Sequence, residues 1–196
     1  MSLNSTQLSN AQAITDYGTK NGFTDLQVEL AVKVAFIESS LGLNMTNPQP
    51  GVTASGLFGY NNVGWTNHAG LGSKDSTDNQ ISAFFSDITT YTARYANPVV
   101  QGSGLSVDEY IYVKHHDGSN ATDFVNSVGL SIFRSSDFHP DVTQYNNPTG
   151  GFGFGFDLYD PVYLGSHAAW FTDGQYNPTG TVTIGPLEVQ PGTDQD

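Results

Sequence analysis

One glutamate stands out among the residues that could do chemistry. Glu38 follows Ala31, Val34 and Ala35 by seven, four and three positions, so on a helix it shares their apolar stripe. Burial beside apolar groups disfavours a carboxylate's charged form, and so does the partial negative charge of a helix C-terminus. A carboxyl group that keeps its proton is what protonating a leaving oxygen requires. Periodicity alone is equally compatible with an exposed or hydrogen-bonded glutamate near a helix end. The other candidates have plain structural readings. His115 and His116 are adjacent, so on a helix they point about 100° apart and do not serve one metal easily. Asp117-Gly118-Ser119-Asn120 with Asp123 is faintly like a calcium loop, but it lacks the terminal glutamate at the right offset and reads as a turn and cap. Asp157 and Asp160 could hold a cation, and a solvated loop explains them better. Tyr60, Trp65, Tyr110 and Tyr112 could stack on sugar rings or fill a core.

The elements that must position these groups can be read from spacing. Leu8, Ala11, Ile14 and Tyr17 recur at helical intervals until Asn21-Gly22. Thr24 and Gln27 form a capping box that opens a second helix, expected to reach about Leu41 with Gly42 just beyond it. A turn-rich loop, Asn44 to Ser73, follows. Ile81, Phe84, Phe85, Ile88, Tyr91 and Tyr95 make the stripe of a third helix, closed by Asn97-Pro98. Asp75 and Asp78 at its start suit N-terminal capping. Ser106 and Glu109 form another capping box, for a helix ending near Asp117-Gly118, and Asn120 is placed to cap one more through about Val128. After Asn146-Asn147-Pro148 the texture changes. Phe152-Gly153-Phe154-Gly155-Phe156 alternates with period two, Thr181-Val182-Thr183-Ile184 is β-branched, and the end from Gln190 reads as a linker or frayed tail.

Composition excludes several function classes. Six Lys and Arg face nineteen Asp and Glu, a net charge of −13, so the clustered cations that a nucleic-acid groove needs are missing. Charged residues are only 13% of the 196, against roughly 25% in ordinary soluble chains, so Asn, Ser, Thr, Gly and Tyr must carry the surface. Cys is absent, which rules out disulfides and thiolate metal sites. No apolar stretch approaches the roughly 18 residues of a membrane span. The first residues lack a basic n-region and an apolar h-region, so no signal peptide is expected.

Three motifs in order carry a resemblance. After Tyr17-Gly18, a helix ends in Ala35-Phe36-Ile37-Glu38-Ser39-Ser40-Leu41-Gly42, and Ala54-Ser55-Gly56-Leu57-Phe58-Gly59-Tyr60 follows. Tyr112-Val113-Lys114-His115-His116-Asp117-Gly118 then fits Tyr-x-x-His-x-x-Gly. Over roughly residues 11–130 the chain resembles the soluble lytic transglycosylase family of the lysozyme-like superfamily, and its phage members in the third motif. That family has a Glu-Ser pair closing a buried helix, then a loop, then Gly-Ala-x-Gly-Leu-(Met or Phe)-Gln. The resemblance implies that Glu38 is the single catalytic acid/base, with Ser39 following it. It implies saccharide contacts from Ser55, Gly56, Leu57, Phe58 and Tyr60 on the loop and from Tyr112 and His115 on the facing helix. Two positions depart: Gly59 stands where the family has Gln, and Thr53 where it usually has Gly.

The expected fold is mainly α: a lysozyme-like catalytic domain over residues 1–147, and an irregular, partly β Gly- and aromatic-rich extension over 148–196. The implied function is cleavage of the N-acetylmuramic acid–N-acetylglucosamine β-1,4 bond of peptidoglycan, with 1,6-anhydromuramoyl products. Neither cofactor nor metal is expected. The partners would be glycan strands and other virion proteins, not nucleic acid. The place would be the virion, or the host periplasm and cell wall, whether for entry or for lysis. A hydrolytic muramidase and a non-catalytic glycan-binding virion domain are the rivals, and Gly59 in place of Gln favours the second.

Overall fold

A computed structural model describes residues 3–47, 49–140 and 142, together with the backbone of 171–172 and 175–176. The chain divides into two compact units, Leu3–Phe156 and a second made of Met1–Ser2 with Asp157–Asp196. The protein is mainly helical. Of the second unit, two short antiparallel strands are described, β1 (Phe171–Thr172) and β2 (Gln175–Tyr176). The expected strands at Phe152–Phe156 and Thr181–Ile184, the Asp157 and Asp160 pair and the C-terminal tail lie outside the described residues.

In the first unit, α1 (Ser5–Lys20) begins at a capping box that the hydrophobic pattern did not announce, Asn4 with Gln7. Thr24 and Gln27 cap α2 (Asp25–Ser39) as expected. Val28, Leu30, Ala31, Val32, Val34 and Ala35 of α2 are all buried. A helix apolar on nearly every side belongs in the middle of a domain, and α1, α4 (Thr77–Tyr95) and the segments around them pack on it. Of the core rings, Phe58 stacks on Phe84 at 4.5 Å, and Phe85 packs between Tyr17 and Phe23. Each fully buried side chain of this size is worth about 1.5–3 kcal/mol.

Five features differ from the pattern. The second helix stops at Ser39, with Ser40 and Leu41 both left-handed (φ 51 and 54), two residues before the expected end. The loop after it contains α3 (Asn62–Trp65), capped by Asn61, and a 3₁₀ segment, Thr66–Leu71. Ser76, rather than Asp75 or Asp78, caps α4. Pro98 not only closes that helix but opens α5 (Pro98–Gln101), because a proline fits the first turn of a helix. Ser106 and Glu109 open α6 (Val107–His116). No helix runs from Asn120 to Val128. Lys114 Nζ donates to the Ser119 and Ala121 carbonyls, and Asp123 accepts from Asn126. These bonds hold the segment as turns, and α7 (Val128–Ser135), capped by Ser127, starts where a helix was expected to end.

Gly18 sets how closely α1, α2 and α4 approach. A Cβ there would lie 2.5 Å from Val28 Cγ2 and 2.8 Å from Phe85 Cζ, both in buried side chains. Gly18→Ala adds helix propensity of up to about 1 kcal/mol, whereas overpacking a tight core costs about 1–3 kcal/mol. The variant is therefore expected to be less stable, with Tm lowered by roughly 2–8 °C in thermal unfolding followed by circular dichroism. An unchanged or raised Tm would show that the three helices do not meet so closely.

Candidate active site

Glu38 is the penultimate residue of α2, half-buried at the edge of a cleft of about 250 Å³. The cleft is walled by 44–47 on one side and by Ala54, Ser55, Gly56 and Gly59 on the other. Among the described residues, Glu38 is the sole ionisable one lining it. Among the described residues no cluster of three His, Asp or Glu could hold a metal, and no helix is long and apolar enough to cross a membrane.

The chain must leave α2 abruptly for the carboxyl group to stand at an edge. Left-handed backbone costs a non-glycine residue about 1–2 kcal/mol, and two such residues, Ser40 and Leu41, follow in succession. They are held from α1, where Gln7 Nε2 donates to Ser40 O (3.1 Å) and Asn10 Nδ2 to Leu41 O (2.9 Å). The buried Ser39 hydroxyl lies 3.0 Å from Ala35 O and 2.8 Å from Leu57 O, and it accepts from Gly42 N–H. That hydroxyl joins the end of α2 to the facing loop.

The facing loop is organised by a residue that the sequence reading passed over. Gln80, fully buried on α4, accepts from Phe58 N–H (2.8 Å) and donates to Ser55 O (2.9 Å) and Lys74 O (2.7 Å). Buried polar groups need such partners. Gly56 leaves room for that amide, since a Cβ there would run into it. The signal was present: Gln80 precedes Phe84 by four positions, on the stripe that α4 buries, and a polar residue in such a stripe is there to be bonded.

The α6 helix grips both halves of the cleft. Tyr112 and His115, one turn apart, lie on one face of it. Tyr112 OH donates to Glu38 Oε1 at 2.6 Å, and His115 Nε2 donates to Phe58 O at 2.7 Å. The His115 ring stands edge-on to Tyr60 and Phe84. Burial first, and then the neighbouring Glu38, drives the Tyr112 phenol far above its ordinary ionisation range. With Oε1 engaged, Oε2 is the carboxyl oxygen left over. It faces Gly59, where a Cβ would lie 2.6 Å from it.

The residues expected to contact saccharide divide between the cleft and the core. Ser39, Leu57 and Phe58 are at most 1% exposed and turn into the core. Tyr60 is buried against Trp65 and His68, and its hydroxyl donates to Asp87 at 2.6 Å. Burial and Asp87 together keep that phenol protonated well beyond its usual range. The Tyr112 ring is buried, with only its hydroxyl at Glu38, and the proton on His115 Nε2 is taken by Phe58 O. Tyr110 and Trp65 are buried as well. Of the expected set, Glu38, Ser55 and Gly56 line the cleft. Asp117, expected in a turn, is tied down: it accepts from Ser127 OH, Gly129 N–H and His116, bonds that outweigh burial and lower its pKa.

Comparison with known proteins adds no relative. No family model, no curated protein and no solved structure matches the chain.

The buried phenols make alkaline pH a probe of this site. An unfolded tyrosine ionises near pH 10, whereas Tyr60 and Tyr112 resist in the fold and Tyr91 is raised to about 12, by burial first and then by Asp87. Their folded values lie above the unfolded one, so their contribution is complete below about pH 10 and is lost as pH rises further. Phenolate absorbance from these residues is expected to appear together with loss of circular dichroism. Full tyrosine ionisation in a protein that keeps its helical spectrum would contradict this burial.

Proposed function

We propose that the chain is a peptidoglycan lytic transglycosylase in which Glu38 is the single acid/base. The observation that carries this is a cleft lined, among the described residues, by one carboxyl group, with Oε1 held by Tyr112 and Oε2 left against the bare Gly59. Hydrolytic glycosidases commonly work with two carboxyl groups, one as acid and one as nucleophile or base for water. A lone carboxyl group suffices when the substrate brings its own nucleophile.

In the proposed reaction, Glu38 gives its proton to the oxygen between muramic acid C1 and the next sugar, and the C1–O bond breaks. The 6-hydroxyl of the same muramic acid attacks C1 and forms the C1–O6 bond. The ionised Glu38 takes that hydroxyl's proton and is ready again. Tyr112 holds the carboxyl group in place throughout. The three motifs shared with the lytic transglycosylases, the third with their phage members, support the same substrate and a place in a virion or at the host wall.

Glu38→Gln is expected to keep the helical spectrum and to lose cell-wall cleavage by about 10²–10⁴-fold or more in a zymogram. Products of the native protein on defined peptidoglycan should be 1,6-anhydromuramoyl fragments, lighter by one water than hydrolysis products and without new reducing ends. Finding only the hydrated, reducible fragments would replace transglycosylation by hydrolysis. No cleavage at all would favour the glycan-binding alternative.

Gly59 gives a second test of the same geometry. Gly59→Ala pushes a methyl group into Glu38 Oε2, and misplacing a reacting group by about 1 Å can cost 10²-fold. Gly51→Ala is the control, since Gly51 also has positive φ (84) but nothing within 4 Å of a Cβ. Activity should fall by about 10²-fold in the first variant and stay near native in the second. Equal activity in both would mean that Oε2 is not the working oxygen.

A further inference from the structure

A second cavity lies elsewhere. A pocket of about 560 Å³ opens between the end of α1, the 3₁₀ segment Thr66–Leu71 and α4, and it shares no lining residue with the Glu38 cleft. That volume is in the range of small-molecule sites. Among the described residues, its lining contains no Lys, Arg, Asp or Glu. Apart from His68, already paired with Asp87, nothing there would neutralise a phosphate or carboxylate, and no lining carboxylate would hold a cation. What it offers is amides and hydroxyls, from Asn67, Ser82 and Ser86, beside the rings of Tyr17 and Phe23.

His68 supplies the observation that points to a ligand. Its side chain is 9% exposed, and Nε2 lies 3.2 Å from Asp87 Oδ1. Asp87 also accepts from Tyr60 OH through Oδ2, so the ring is held in place. Nδ1 bonds to no described residue. His68 is part of the pocket wall. A ring nitrogen so held accepts from a ligand when the imidazole is neutral and donates when it is protonated. A hydroxyl group can meet it in either state. Neutral lining, an aromatic wall and a fixed two-way hydrogen-bonding group describe a receptor for a polyol ring.

We propose that this pocket is a second binding site, apart from the Glu38 cleft, for an uncharged, hydroxyl-rich ligand of the saccharide class. A glycan segment held there would keep the protein on a polysaccharide while the cleft works. The Asp87 carboxylate joins the two regions, because one oxygen positions His68 in the pocket and the other positions Tyr60 on the cleft loop.

Trp65 is the reporter for the test. Its ring lies 5.8 Å from that of His68, and the full chain has one other tryptophan, Trp170, which is changed to Phe in the assay protein. The probe is N-acetylglucosamine trisaccharide, followed by Trp65 fluorescence. A saturable change is expected. Ser86→Arg and Thr89→Arg, at exposed positions of α4 on the pocket wall, should each weaken it by about tenfold or more. Glu38→Gln should leave it within about twofold, less than 0.5 kcal/mol.

Absence of a saturable change, or one untouched by both arginine variants, would overturn the proposal. So would loss of the response in Glu38→Gln, since the probe would then be reading the cleft. An equal response to indole would replace the saccharide class by a plain apolar slot. None of these outcomes depends on whether Glu38 cleaves peptidoglycan.

Discussion

A carboxyl group at the end of a buried helix is of use only if the chain gets out of its way. After Glu38 the backbone must turn at once, and it does so through two consecutive left-handed residues, Ser40 and Leu41. That conformation is unfavourable by itself and persists because α1 supplies Gln7 and Asn10 to the two carbonyls that it exposes. The capping box at Asn4 and Gln7 is part of the same arrangement, since Gln7 caps α1 with its carbonyl oxygen and reaches Ser40 with its amide nitrogen. The first helix thus has a duty toward the cleft although it contributes no lining residue to it.

The opposite wall depends on a comparable device. Gln80 holds three backbone groups of the loop from inside the core, and His115 holds a fourth from α6. One turn earlier on α6, Tyr112 fixes Glu38 itself. The distance between the carboxyl group and the loop is therefore set by one rigid helix touching both. Ser39, Tyr60, Tyr112 and His115, all expected to touch sugar, each spend a side-chain hydrogen bond inside the fold. The surfaces left for a ligand are backbone, small residues and the Asn- and Thr-bearing segment 44–47.

Two acidic side chains at the ends of α6 also tie it to its neighbour. Glu109 caps α6 and also accepts from Arg134 Nε at 2.7 Å, bonds that lower its pKa and tie α6 to α7. Asp117 does the same from the other end of α6, through Ser127 and Gly129 at the start of α7. Two acidic residues at the two ends of one helix thus orient the next.

Local physics was enough to read the helical class, the capping boxes at Thr24 and Ser106, the apolar stripe of α4 and the placing of Glu38 at the end of an apolar helix. Each depends on spacing within a turn or two, and such spacing is written in the order of residues. The supports of the cleft were not legible in that way. Gln80 lies 22 residues from Phe58, Tyr112 74 from Glu38, and Asn10 31 from Leu41. No local periodicity ties such partners together. Gly59 shows the same division. Its identity reads as a missing glutamine when compared along the chain, and as room for Glu38 Oε2 once the loop has folded against α2. Which side chains face a cleft and which are spent in holding it is decided by packing between distant segments, because burial and hydrogen bonding act on neighbours in space.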